Sequence, residues 1–194
     1  MITAEQVRQL RSKTGLSVMQ CRKALEEADG DMERAAFLLR QKGGEALKNK
    51  SGRALSAGVV SSYIHNTGTV GAIVELFCET DFVAKNEEFR ALAHDVAMQV
   101  AATDPQFLNL EDITPEVKKS VEEIFLPEVG DIPRDLKKKI LEEKLRAHLG
   151  ERTLMEQPFI KNPELTVSSL VAGAVQKFGE RIEIRRFARF STQG

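Results

Sequence analysis

The sequence predicts an α+β protein, in which a three-helix N-terminal module precedes a core with a three-stranded antiparallel sheet and helices on one face. Two kinds of pattern predict this. Apolar residues recur at helical spacing through the first forty residues and in several later segments, and alternating patterns mark a hairpin and a final strand. The predicted domains are a module over residues 1–45, a basic linker over 46–56 and a core domain over 57–194.

Each of the three N-terminal helices begins at a residue that can cap it. Thr3 and Ser17 are each followed three residues later by a glutamine, which predicts two capping boxes. Asp31 predicts the start of the third helix, and we expect this helix to end at Gly43 and Gly44. A core of about ten side chains is marginal alone, which favours a recognition module over an enzyme.

The segment after the third helix is polar and basic and contains Lys48, Lys50 and Arg53. These residues could contact phosphate, but isolated charge runs are usually solvated, so we interpret the segment as a linker. RNA binding through residues 48–53, or through 185–186, is a weaker alternative that would show a steep dependence on salt.

The sheet is predicted from three alternating segments, 58–66, 69–79 and 181–190, with a turn at Asn66-Thr67-Gly68. Both faces of the second and third segments carry apolar residues. A sheet with one solvated face does not need the second apolar set, so we expect that set to form a self-association surface. By strict alternation, its members are Ile73, Phe77 and Phe187.

The helices of the core also have recognisable starts. Asn86, Thr114 and Thr166 are predicted N-caps, and Pro133 is predicted to begin a further helix. The residues that follow each of them repeat apolar side chains on one face, which is typical of a helix packed on a core.

The connection from Cys78 to Asn86 is the most informative segment, because a strand pattern ends there and a helix begins almost at once. It places Phe82 beside Asp81 in a short loop, and loops lie on the surface. We therefore expect Phe82 to anchor a partner protein. The alternative is a helix start in which Thr80 or Asp81 acts as the cap and Phe82 packs into the core.

Composition excludes several classes of function. The 194 residues carry a net charge of -1, so no basic excess indicates nucleic acid as the main partner. No segment has the pattern of a secretory signal or a membrane span, which makes the cytoplasm the expected location. We expect Cys21 and Cys78 to be reduced and buried, and find no phosphate-binding motif, metal-ligand spacing or catalytic arrangement. An enzyme or a cofactor is not expected.

Three segments resemble the translation elongation factor Ts family, in the order the family has them. The first runs from Thr14 to Leu25 and continues with Ala28-Asp29-Gly30-Asp31. The second is Cys78-Glu79-Thr80-Asp81-Phe82-Val83-Ala84-Lys85-Asn86, which is similar to the family's most characteristic segment. The third is Gln157-Pro158-Phe159 with Thr166-Val167.

The resemblance implies a guanine-nucleotide exchange factor for elongation factor Tu, the GTPase that carries aminoacyl-tRNA to the ribosome. It implies that Thr80, Asp81, Phe82 and Val83 reach the GTPase domain and dislodge its magnesium ion. Phe82 would wedge between two helices with the support of Asp81. The N-terminal module would be a ubiquitin-associated-like fold that docks through Val18 and Met19, although core packing is an equally weighted reading of that pair.

This chain departs from longer family members, which resemble a core of two related subdomains with a protruding helical hairpin. Only one such unit fits into residues 55–194, which suggests a homodimer and a two-plus-two complex with the GTPase. No membrane contact and no direct nucleic-acid contact are expected. The rival functions are a peptide- or ubiquitin-binding adaptor, active through residues 1–50 alone, and a small-molecule or tRNA-modifying enzyme, which would need a polar pocket.

Overall fold

A computed structural model describes residues 2–50, 52–129 and 134–192. The predicted helix start at Pro133 and Ser51 of the predicted linker lie outside the described residues. The helices are α1 (Ala4–Thr14), α2 (Val18–Glu27), α3 (Met32–Asn49), α4 (Asp81–Ala84), α5 (Glu87–Thr103), α6 (Pro115–Phe125), α7 (Arg134–Glu151) and α8 (Val167–Phe178). The strands are β1 (Ala57–Ile64), β2 (Val70–Cys78), β3 (Pro158–Phe159), β4 (Asn162–Thr166) and β5 (Glu183–Ser191).

The main sheet has the strand order β1-β2-β5 with antiparallel pairing throughout, which confirms the predicted α+β class. One face of this sheet is covered by α5, and α8 contributes to the same hydrophobic cluster. The side chains of β2 that point into this core cluster are almost fully excluded from solvent: Ala72, Val74, Leu76 and Cys78.

A bulge in β5 overturns one prediction about the faces of the sheet. Leu76 pairs with Ile184 and the next residue back, Glu75, pairs with Arg186, so β5 holds one extra residue there. An extra residue reverses the alternation beyond it. Phe187 therefore pairs with Val74 and packs against the core cluster, and its predicted place on the open face is wrong.

The predicted end of the third helix at Gly43 and Gly44 is also wrong, because α3 continues to Asn49. Gly43 lies where α3 packs closely on α8: a Cβ atom there would stand 3.3 Å from the carbonyl oxygen of Ala172. The glycine thus permits helix packing and does not stop the helix. Beyond it, Ala46 and Leu47 pack against the core cluster, so part of the predicted linker is helical. The division into domains otherwise stays a prediction.

The predicted helix caps are confirmed. Thr3 and Ser17 each form a full capping box, and Asp31 accepts two backbone hydrogen bonds at the start of α3. Side chains of α1, α2 and α3 enclose a second cluster, the module cluster, which has nine buried residues. Its members are Val7, Leu10, Leu16, Cys21, Ala24, Leu25, Ala28, Ala35 and Leu39.

A two-stranded ladder of β3 and β4 was not predicted. It is held by Gln99, which is fully buried on α5. The Gln99 side-chain amide donates to the Pro158 carbonyl at 3.2 Å and accepts from the Ile160 N–H at 2.9 Å. A buried amide with both of its ends satisfied avoids the cost of an unpaired polar group and fixes the segment before α8. None of the helices in the described ranges has the length and hydrophobicity needed to cross a bilayer.

Candidate partner-binding site

The connection between β2 and α5 is the short helical turn α4, which we call the Phe82 turn (residues 80–84). Thr80 is its N-cap, and the Thr80 hydroxyl accepts a hydrogen bond from the Val83 N–H at 3.4 Å. Phe82 is 83% exposed, the highest value among the exposed large apolar side chains described. The predicted exposure of Phe82 is therefore confirmed, and the alternative in which it packs into the core is wrong.

Two residues of the Phe82 turn, Val83 and Ala84, pack into the core and hold the turn in place. Val83 and Ala84 are buried in the core cluster, whereas Thr80 and Asp81 face the solvent. Of the four side chains predicted to touch a partner, the structure presents three and buries Val83. Because burial of Val83 anchors the turn, the backbone that carries Phe82 is held in place while the Phe82 side chain projects into solvent.

Glu180, which follows α8, holds the start of this turn. One oxygen of its carboxylate accepts from the backbone N–H groups of Glu79 and Thr80, each at 3.0 Å. The other oxygen accepts from the Thr80 hydroxyl at 2.6 Å. Hydrogen bonds to an ionised carboxylate are the strong ones in proteins, so these three contacts fix the backbone where β2 ends.

A second carboxylate, that of Glu79, binds the segment that carries Glu180. The Glu79 side chain accepts from the Arg181 backbone N–H at 2.5 Å and pairs with the Arg53 guanidinium at 3.3 Å. The Arg181 N–H, and after it Arg53, lowers the pKa of Glu79 below its ordinary value. The segments 79–80 and 180–181 therefore hold each other through reciprocal carboxylate contacts.

Two of the basic residues predicted to lie in a solvated linker, Lys50 and Arg53, take part in this arrangement. Arg53 pairs with Glu79, and the Lys50 ammonium donates to the Gly179 carbonyl. Cys78 is buried beside the same contacts, as predicted, and Cys21 is buried in the module cluster. Burial, and after it the charge of Glu180, raises the pKa of Cys78 to about 11, which keeps the thiol protonated at neutral pH.

The other predicted contact lies in the N-terminal module. Ser17 caps α2, and Val18 and Met19 occupy its first two positions with both side chains exposed, Met19 at 73%. The reading of these two residues as core residues is therefore wrong. They belong to the helices around the module cluster, while the Phe82 turn packs on the core cluster, so the two predicted contacts stand on different hydrophobic clusters.

The second face of the sheet, which we call the open face, carries several exposed apolar residues. The predicted Ile73 is exposed there, and Phe77 is half-buried with the Arg185 guanidinium 4.9 Å from its ring centroid. Three members were not predicted for this face: Val60, Ile64 and Phe190. Ile64 and Phe190 flank Gly71 in adjacent strands, so the bulge that removes Phe187 brings Phe190 to this face.

Sequence reasoning missed Glu180, Arg181 and the role of Arg53. No local pattern could have found Glu180, because its partner Thr80 is 100 residues away. The only nearby signal is Gly179, whose left-handed backbone (φ 72°) ends α8 and turns the chain toward the Phe82 turn.

Comparisons with known proteins agree with the resemblance read from the sequence. A family model described as elongation factor TS matches residues 4–176. The chain is 47% identical to elongation factor Ts of Carboxydothermus hydrogenoformans over 98% of its own length and 88% of that protein. It is also 47% identical to elongation factor Ts of Thermodesulfovibrio yellowstonii, over 97% of its length and 95% of that protein. Identity to elongation factor Ts of Koribacter versatilis is 45%, over 97% and 87%.

Proposed function

Because the chain belongs to the elongation factor Ts family and so has a role in translation elongation, we propose that it is a guanine-nucleotide exchange factor for elongation factor Tu. The observation that carries this proposal is Phe82, an aromatic side chain that is 83% exposed on a turn held by the buried Val83 and by the hydrogen bonds of Thr80. Because the backbone of the turn is already held by these contacts, binding has to order only the Phe82 side chain, and little of the burial energy is offset by backbone ordering.

The proposed mechanism is mechanical and makes or breaks no covalent bond, so the protein is not an enzyme in the chemical sense. Phe82 inserts between two helices of the GTPase, and Asp81, exposed beside it, supports the insertion. Thr80 and Val83 complete this contact by fixing the turn. Magnesium bridges the phosphates and the loops that hold them, so a shifted helix weakens magnesium binding and GDP leaves.

The energy of one aromatic side chain limits what Phe82 does alone. Burial of a Phe side chain contributes about 1.5–3 kcal/mol, which corresponds to a factor of roughly 10 to 150 in an equilibrium constant. A larger acceleration needs a second source of binding energy. Val18 and Met19 of the N-terminal module supply it in this proposal, because their exposed side chains offer another apolar contact with the same GTPase.

Thermodynamic linkage explains how the factor is released from the GTPase after GDP has left. If the factor weakens GDP binding, GDP weakens binding of the factor by the same amount. Nucleotide therefore displaces the factor, which is free to act again. The proposed place of action is the cytoplasm, where elongation takes place, and the proposal includes neither a cofactor nor a direct nucleic-acid contact.

The open face is the proposed surface for a homodimer, which would give a two-plus-two complex. Its exposed apolar side chains support this: Val60, Ile64, Ile73 and Phe190. Exposed apolar side chains gathered on one face of a sheet are expensive to leave in water, and a second copy offers the same face to cover them around the ion pair of Glu75 and Arg186. Phe187 has no part in this surface because it faces the core cluster.

The exchange activity is tested by release of a fluorescent GDP analogue from elongation factor Tu. We expect wild type to accelerate release and Phe82→Ala to reduce the acceleration by about tenfold or more, since the burial energy is lost. Ile124→Ala is the matched control, because Ile124 is an exposed apolar residue on α6, away from the proposed contacts. No acceleration by wild type would disprove the exchange function and favour the adaptor. An undiminished rate for Phe82→Ala would disprove the wedge.

Light scattering at micromolar concentration tests the homodimer. Wild type is expected at twice the mass of one chain, and Ile73→Glu at the mass of one chain, because a charge on the open face cannot be buried without a partner. Ile124→Glu adds the same charge on α6 and should leave the mass doubled. A monomeric wild type would contradict the proposal.

A further inference from the structure

We propose that Glu180 is a positioning residue for the Phe82 turn: its carboxylate orients the cap from which Phe82 is presented to the GTPase. This inference rests on the proposed exchange function but concerns a residue that contacts no partner in that proposal. Glu180 acts only through Thr80 and the backbone before it.

Glu180 accepts the hydrogen bonds of backbone N–H groups at the point where β2 ends. Where β2 ends, the backbone N–H groups of Glu79 and Thr80 no longer have a neighbouring strand to bond, and both donate to one oxygen of Glu180. Glu180 is only half-buried, yet three donors converge on its two oxygens within 3.0 Å. Such convergence fixes the direction in which the chain leaves the sheet, and therefore the direction of the turn.

The Thr80 hydroxyl connects Glu180 to the rest of the turn. Its proton points to Glu180, at 2.6 Å, which leaves its lone pairs for the Val83 N–H. A hydroxyl can rotate and switch between donating and accepting, so Glu180 determines that Thr80 accepts from the turn. Without Glu180, that proton is free to point elsewhere, and the cap bond, already long at 3.4 Å, weakens.

The segment of Glu180 and Arg181 connects the Phe82 turn to α8. Glu180 directly follows Gly179 at the end of α8, and the neighbouring Arg181 N–H binds Glu79 in return. Two reciprocal contacts resist rotation better than one. Because α8 also packs against α3, which extends from the N-terminal module, Glu180 connects the Phe82 turn to the part of the fold that carries the module.

Hydrogen exchange tests the positioning role in the free protein. In Glu180→Ala, we expect the hydrogen-bonded amides around the turn, those of Glu79, Thr80, Val83 and Ala84, to exchange about tenfold faster or more, since charge-assisted hydrogen bonds are lost. Glu180→Gln keeps an oxygen for the two backbone N–H groups but puts an N–H donor where the Thr80 hydroxyl needs an acceptor, so it should restore most of the protection at Glu79 and Thr80 and less at Val83. Glu183→Ala is the control, because Glu183 pairs with Arg181 and does not touch the turn.

Three outcomes of that measurement would overturn the inference. They are unchanged exchange at these amides in Glu180→Ala, faster exchange throughout the chain, and a loss in Glu180→Gln as large as in Glu180→Ala. The first would mean that Glu180 does not order the turn, the second that its role is in global stability, and the third that its charge matters rather than the geometry of its hydrogen bonds.

GDP release then separates this inference from the proposed function. Glu180→Ala should slow release about tenfold, but should have almost no further effect when Phe82 is already Ala, because Glu180 acts through Phe82. Equal slowing in both backgrounds would overturn the inference while keeping the exchange function. If wild type fails to accelerate release, the exchange function fails, and hydrogen exchange alone decides whether Glu180 orders the turn.

Discussion

The starts of α2 and α4 are built alike but stabilised differently. Each helix begins at a hydroxyl N-cap, Ser17 or Thr80, and each presents an exposed apolar side chain at its second residue, Met19 or Phe82. In α2 the cap is completed by Gln20, which lies three residues away. In α4 the Thr80 hydroxyl is oriented by Glu180, which lies 100 residues away.

The difference between the two helix starts shows what a short element needs in order to hold an exposed side chain in a defined position. With ten residues, α2 tolerates a cap of local origin, because its own helical hydrogen bonds and the module cluster below it keep Met19 in place. The four residues of α4 are too few for a stable helix. The Phe82 turn therefore depends on contacts from elsewhere in the fold, namely burial of Val83 and the Glu180 carboxylate.

The largest expected effect is on GDP release by the double variant that combines Met19→Ala and Phe82→Ala. Met19→Ala should slow GDP release about 3- to 10-fold, less than Phe82→Ala, because ordering a flexible Met side chain offsets part of its burial energy. The two side chains stand on different hydrophobic clusters, so the double variant should show the product, from about 30-fold to the order of 10³. Stopped-flow release with all three variants measures this.

An effect of the double variant equal to that of Phe82→Ala alone would contradict the comparison. It would mean that Met19 acts only after Phe82 has inserted, so that the two starts form one contact rather than two.

A smaller effect is expected from the local cap. Ser17→Ala removes the capping box of α2 and should lower the free energy of opening of the module cluster by about 1 kcal/mol. Hydrogen exchange of α2 amides measures this, with Ser12→Ala on the exposed surface of α1 as a control expected within about 0.5 kcal/mol of wild type. Faster exchange at residues 80–84 in Ser17→Ala would contradict the independence of the two starts.

The smallest effect is a difference in pH dependence. The pKa of Glu79 is lowered in the folded state, so its contacts stabilise the protein above its ordinary pKa of 4.5, and this stabilisation is lost as the pH falls through the lowered value. Glu79→Gln should therefore melt below wild type at about pH 7, with a gap that shrinks toward about pH 3.

The cap of α2 gives the matching control, because neither Ser17 nor Gln20 titrates. The gap in melting temperature between wild type and Ser17→Ala should stay constant over the same pH range. If the gap for Glu79→Gln also stays constant, the ionised carboxylate of Glu79 makes no contribution, contrary to its contacts with Arg181 and Arg53.

The elements that sequence reasoning found are those stabilised by near neighbours. Capping boxes and alternating strands depend on residues a few positions apart, and both were predicted. The exposure of Phe82 was predicted from its place in a short connection between a strand and a helix. The errors have a common cause. A glycine pattern predicts a helix stop at Gly43, but the residue that explains this glycine, Ala172, lies far along the chain on α8. Strict alternation puts Phe187 on the wrong face, because the bulge exists only in the pairing of β5 with β2.

By itself the sequence determined the α+β class, the positions of the helix caps and the turn that carries Phe82, because hydrogen bonds within one turn and apolar periodicity are local. Only the tertiary structure decided which apolar residues form the open face, that α3 reaches α8, and that Glu180 holds Thr80. These features depend on pairs far apart in the chain. Whether such a pair meets depends on the packing of the whole core, which no local pattern records.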